Sequence, residues 1–129
     1  MTKPKPRIRI RRVYEPPYPD DGTRILVDRL WPRGLSKDAA AVDEWPKDVT
    51  PSNELRQWFH SPSGGPEEFR RRYEAELDGP GAAAALDRLR TLVRSGPVTL
   101  LTAVKDPEHS HASVLARVLS EPDRPADTT

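Results

Sequence analysis

Val98-Thr99-Leu100-Leu101-Thr102-Ala103-Val104, running into Lys105-Asp106-Pro107-Glu108-His109-Ser110-His111, decides the fold. The first half reads as a buried strand. The second half is a charged loop holding two of the chain's three histidines, and a helix begins almost at once. In α/β proteins the carboxyl ends of the strands open into the crevice where ligands bind. Arg24-Ile25-Leu26-Val27-Asp28-Arg29-Leu30-Trp31-Pro32-Arg33-Gly34 repeats the design, as an apolar strand ending in Asp28, Arg29, Trp31 and Arg33. Two strands that deliver polar groups at their ends suggest one shared site.

The remaining elements follow from spacing. Arg7 to Tyr14 alternates charged and branched apolar residues, the period of a half-buried strand. Glu15 to Gly22 carries three prolines and reads as a loop. Ile25, Leu26 and Val27 in unbroken succession predict a second strand, Thr23 to Asp28, buried on both faces like a central strand. Ser36 can cap a short helical turn, and Ser52 a helix over Asn53 to His60. Pro66 opens a helix to Leu77 with Phe69, Tyr73 and Leu77 inward. A break at Gly79-Pro80-Gly81 precedes a helix over Ala82 to Arg94, with Leu86, Leu89 and Val93 inward. After the strand Val98 to Val104, a last helix spans His111 to Leu119 and carries Val114, Leu115 and Val118. The expected fold is α/β: a single layered domain with a small, mostly parallel sheet covered by helices. The pairing direction of the first two strands is open at this level.

Composition narrows the function. The 129 residues suit one core, with 7–120 folded, a basic tail at 1–6 and a second tail at 121–129. A formal charge of +1 makes no overall case for nucleic-acid binding. With no cysteine, disulfides, thiol nucleophiles and thiolate metal sites are excluded. No apolar run reaches membrane-spanning length and no signal-peptide core follows Met1, so a cytoplasmic location is expected and no membrane partner. No phosphate-binding loop, dinucleotide fingerprint or serine elbow is present.

The candidate site residues each admit a plainer role. His109 and His111 stand two apart, whereas helix-borne metal ligands usually stand four apart, so neither a metal nor another cofactor is expected. One histidine can act as a general acid or base, or merely hydrogen-bond the loop. Lys105 and the helix start beyond it can hold an anion, or Asp106-Pro107 can be an ordinary turn. Asp28 at the end of a buried strand needs a partner, which Arg29 or Arg33 can supply. Alternatively those two arginines present their guanidinium forks to an anionic substrate. Trp31 can wall such a site or belong to the core, to which Trp45 and Trp58 are assigned. Arg7, Arg9 and Arg11, with Lys3 and Lys5, form a basic face that can meet nucleic-acid phosphates or protect a strand edge.

Asp21 to Gly34, Lys105 to His111, Pro51 to Arg56 and the helix through Phe69, Tyr73 and Leu77 resemble the YeaO-like branch of Domain of Unknown Function family 488. The Asp-Arg-Leu-Trp-Pro-Arg-Gly run is the most specific part, and the resemblance extends from Arg7 to Leu119. Asp28, Arg29, Lys105, Asp106 and His111 match the family pattern. Ser110 stands where many relatives carry cysteine, Ala112 where they carry arginine, and Thr102 where another cysteine is frequent. Thiol chemistry in such relatives therefore does not transfer. The resemblance also implies that the first two strands run parallel, with the proline loop in place of a helix. The residues together suggest an anionic small molecule, a nucleotide or phosphorylated metabolite, bound between the strand ends. Arg29, Arg33 and Lys105 would supply charge, His111 or His109 would handle a proton, and Asp28 would orient a partner. A hydrolase or transferase is one reading; a nucleic-acid-associated or regulatory protein, or a non-catalytic interaction domain, are the others.

Overall fold

The computed structural model describes residues 8–120. The expected tails at 1–6 and 121–129, and Lys3, Lys5 and Arg7 of the basic cluster, lie outside them. Three parallel strands, β1 (Ile8–Arg12), β2 (Thr23–Leu26) and β3 (Val98–Thr102), form a sheet in the order β1-β3-β2. Ile8 and Thr23 both align with Val98, from opposite sides. The first two strands thus point the same way, and each pairs with β3 instead of with the other. Residues 13–22 return the chain from the end of β1 to the start of β2. Extended chain covers roughly 3.3 Å per residue, so this proline-rich segment is long enough without a helix.

All five residues of β3 are buried, and it is the central strand. That corrects the expectation for β2, which lies at the edge. Its continuous apolar run reflects burial of both faces, not a central position. The open edge is covered by residues 43–44: Leu26 N–H donates to Glu44 O at 2.9 Å, and Asp43 N–H to Arg24 O at 2.8 Å. Covering blunts an edge that would otherwise offer its backbone to another chain.

Side chains alternate between two cores. Ile25, Val27, Val98 and Leu100 pack into the larger one. Leu26, Leu101 and Val13 pack into the smaller one on the other face. Helices α2 (Asn53–Phe59), α3 (Pro66–Leu77), α4 (Pro80–Ser95) and α5 (His111–Ser120) supply the larger core, including the predicted stripe Phe69, Tyr73 and Leu77. The smaller face is covered by the 31–45 segment, with Trp31 and Trp45 at 5.3 Å edge to face and a single turn, α1 (Lys37–Ala40). Each fully buried leucine of β3 contributes roughly 2 kcal/mol.

The expected caps form: Ser36 Oγ accepts from Ala39 N–H and Ser52 Oγ from Leu55 N–H. Helix α4 begins at Pro80, earlier than expected, because proline fits the first helical position and Gly79 takes the cap. At the amino end of the sheet lies a buried ion pair that the sequence reading did not assign. Arg24 donates to Asp21 at 2.5 Å and to the carbonyls of Ala40 and Ala41. Burial pushes the Asp21 carboxyl up, but the Tyr18 amide, Arg24 and Arg11 outweigh it and hold the group below its ordinary value.

Gly22 joins that corner to β2. Its φ of 65° and ψ of −138° suit glycine alone, and a Cβ would stand 2.0 Å from Pro97 O, the acceptor of Thr23 N–H. Gly34 has φ 76° with open space around it. Gly22→Ala should therefore cost about 3 kcal/mol or more, as strain plus a backbone collision, and Gly34→Ala about 1 kcal/mol. Urea denaturation of the two variants checks the ranking; equal losses would mean that the Pro97 approach is not tight.

Candidate functional site

Beyond the carboxyl end of β2, Asp28 turns toward β3 and its carboxylate gathers three donors. Thr102 Oγ donates to Oδ1 at 2.7 Å, and Ala103 N–H to Oδ2 at 2.8 Å. His111 Nε2, on the first turn of α5, lies 2.9 Å from Oδ1 and 3.1 Å from Val27 O. Both of those atoms are acceptors, so Nε2 carries the hydrogen and shares it between them. His111 Nδ1 has no partner among the described residues. The carboxylate thus orients the histidine; the expected arginine partners of Asp28 do not approach it, since Arg29 Nε donates to Pro51 O instead. Here β3 stops short of Val104, because Ala103 N–H is taken by Asp28 and not by a ladder.

The pair forms the floor of a cavity of about 600 Å³. The predicted residues Asp28, Arg29, Trp31, Arg33, Asp106, His109 and His111 all line it. Lys105 does not; it is exposed on the loop outside. His109 Nδ1 and Asp106 Oδ2 pair at 2.8 Å, both largely exposed. Trp31 combines its two readings: one side borders the cavity, while Nε1 donates to Leu35 O and the ring packs on Trp45. Trp45 Nε1 in turn donates to Asp28 O at 2.7 Å, and Trp58 packs on the larger core with Arg72 at 4.0 Å over its ring.

Sequence reading missed the wall contributed by α2 and the exit of β1. Arg56 and His60, four residues apart at the end of α2, line the cavity beside Phe59, and Tyr14 lines it from the other side. The spacing of Arg56 and His60 was a usable signal, since residues four apart share a helix face. The chain's three histidines therefore all border one cavity.

Charge is distributed unevenly. Arg9, Arg11, Arg24, Arg70, Arg71, Arg72 and Arg88 each meet a carboxylate. Among the described residues, the cavity arginines do not: Arg29 meets the Pro51 carbonyl, Arg56 the Asn53 amide oxygen, and the Arg33 guanidinium no protein acceptor. The helix start is less open than expected, because Ser110 Oγ accepts from Ala112 N–H and donates to Pro107 O. On β1, Arg9 and Arg11 are engaged by Asp20, Glu15 and Asp21. Among the described residues no group of three or more potential ligands converges as a metal site, and no helix is long and apolar enough to cross a membrane.

Over residues 7–128 the chain matches a family described as the inactive DUF488-N3 subclade. An uncharacterised protein of Mycobacterium tuberculosis (strain ATCC 25618 / H37Rv) is 48% identical over 114 residues, covering 88% of this chain and 94% of the relative. The uncharacterised protein YeaO of Escherichia coli K12 is 46% identical over 109 residues, covering 84% and 93%. No solved structure matches significantly.

Burial alone would raise the Asp28 carboxyl, but hydrogen bonds from His111, Ala103 and Thr102, with the charge of His111, outweigh it and hold the group below its ordinary value. A folded pKa below the unfolded one means that the carboxylate's stabilisation is complete above the unfolded value, about 3.9. It is lost as pH falls through the lower, folded value. Asp28→Asn should therefore destabilise by about 2 kcal/mol or more at about pH 5, with the gap to wild type narrowing by about pH 2. Urea titrations at both pH values test this; a gap of constant size would mean that the carboxyl is not held ionised by the fold.

Proposed function

Because the chain belongs to the YeaO-like branch of Domain of Unknown Function family 488, we propose for it a role in binding rather than turnover. The ligand is an anionic small molecule of the nucleotide or phosphorylated-metabolite class, held at the carboxyl ends of β2 and β3. The observation that carries this reading is the set of cavity arginines left without carboxylates, while the cavity's own acids are occupied: Asp28 by His111 and Asp106 by His109. Arginine forks suit phosphate and carboxylate oxygens, and a partly enclosed site strengthens that attraction over bulk water. The cavity volume of about 600 Å³ lies in the range of small-molecule sites. His111 Nδ1 adds a polar atom on the floor whose direction is set by Asp28.

Two features favour binding over a hydrolase or transferase. The matching subclade is described as inactive. The hydroxyls at the positions where the resemblance places cysteines in relatives are committed to the fold: Ser110 caps α5, and Thr102 donates to Asp28.

The test is calorimetry and thermal shift with inorganic phosphate, ribose 5-phosphate and nucleotides, for wild type and for Arg29→Gln and Arg33→Gln. Saturating ligand at about 100 times Kd should add about 2.7 kcal/mol to wild-type stability. Each substitution should weaken binding about tenfold, as expected for a lost charge-assisted hydrogen bond. Absence of any shift in wild type, or equal binding by the variants, would overturn the assignment.

A further inference from the structure

We infer that the ligand carries a planar aromatic ring beside its anionic group, as a nucleoside phosphate does, and that the ring seats on Tyr14. The inference rests on the anion-binding reading above and specifies its ligand.

The first observation is where large apolar side chains remain exposed. Tyr14 is 41% exposed, Leu30 63% and Val104 38%, and all three line the cavity. Tyr18 is also exposed, but it lies outside the cavity lining and Arg11 stands 3.8 Å from its ring centre. Isolated apolar residues on a surface need no explanation, whereas a group collected at one opening marks a binding surface. A purely polar anion such as a sugar phosphate leaves these three side chains in water. A ligand with an apolar, flat portion covers them.

The second observation is the way Tyr14 is held. Its hydroxyl donates to Arg33 O at 3.0 Å, which fixes the ring against the same loop that carries the Arg33 guanidinium. Arg12 lies 5.2 Å from the ring centre on one face, and is itself anchored by hydrogen bonds to Ala103 O and Val104 O. Arg12 covers one face of Tyr14, and among the described residues no other ring or cation stacks on it. A ring clamped at its hydroxyl and backed by a cation loses little freedom on binding, and such a platform accepts any base, since each has a π-face.

The other aromatic side chains are less suited. Trp31 is half-buried and packed against Trp45, while Phe59 and Phe69 pack on each other at 4.5 Å. Tyr14 and Arg33 therefore place a stacking surface and a cation on one wall. A nucleoside phosphate presents the complementary pair.

Calorimetry at low ionic strength with a nucleoside 5′-monophosphate and with ribose 5-phosphate tests the inference on wild type, Tyr14→Phe and Tyr14→Leu. Circular dichroism first establishes that each variant is folded. The nucleotide should bind wild type about tenfold or more tightly than the sugar phosphate, the size of one base–aromatic stack. Tyr14→Phe keeps the ring but loses the bond to Arg33 O and should keep most of that ratio; Tyr14→Leu keeps apolar area without the ring and should bring it near unity. If the sugar phosphate binds and the base adds nothing, or if Tyr14→Leu preserves the ratio, the inference is overturned while the anion site stands. Failure of every phosphate to bind would remove both.

Discussion

The Asp28 carboxylate joins three parts of the chain at one point. Its own backbone continues β2, its donors Thr102 and Ala103 end β3, and His111 begins α5. On the opposite side its carbonyl receives Trp45 Nε1, which ties the 31–45 segment to the same residue. A carboxylate with its side chain only 17% exposed is costly unless its oxygens are satisfied, so the three donors and the charge are interdependent. Breaking any one of them leaves the others facing a poorly solvated anion. The floor of the cavity is consequently tied to the ends of β2 and β3.

The scaffold is distinct from the groups that line the opening. The parallel sheet buries both faces, with helices on one side and a tryptophan-bearing loop on the other. Parallel strands place their carboxyl ends together, and the loops leaving β1, β2 and β3 converge there. Arg29, Arg33 and Tyr14 come from these loops, while Arg56 and His60 reach in from α2. Elsewhere many of the arginines meet nearby acids, often within one helix, as with Glu68 and its neighbours Arg71 and Arg72. At the opening the arginines meet no carboxylate, because its two acids hydrogen-bond histidines instead.

Ser110 and Thr102 bear on chemistry as much as on structure. Both sit at the strand and helix ends beside Asp28 and His111, and both direct their hydroxyls into the fold. Thr102 is fully buried, and the Ser110 hydroxyl is committed to Pro107 O and Ala112 N–H. His111 is held by Asp28 and Val27 O through Nε2, with Nδ1 left over.

The sequence by itself determined the local structure: the strands around Ile10, Ile25 and Leu100, the serine caps, the proline-started helix at Pro66 and the inward stripes all follow from short-range spacing. It also brought forward Asp28, Arg29, Trp31, Arg33, Asp106, His109 and His111 of the cavity lining, because strand ends in α/β folds point to one place. Strand order was not legible. Ile25-Leu26-Val27 reports that both faces are buried, and that holds equally for a central strand and for an edge covered by Asp43 and Glu44. The partners of Asp28 were hidden for the same reason: His111 is 83 residues away, and only packing of α5 against the sheet brings it within reach while the neighbouring Arg29 turns to Pro51. Tyr14, Arg56 and His60 entered the site through that packing too. Hydrophobic periodicity records which side of an element is buried; which elements then share a wall is decided by how the buried sides fit together.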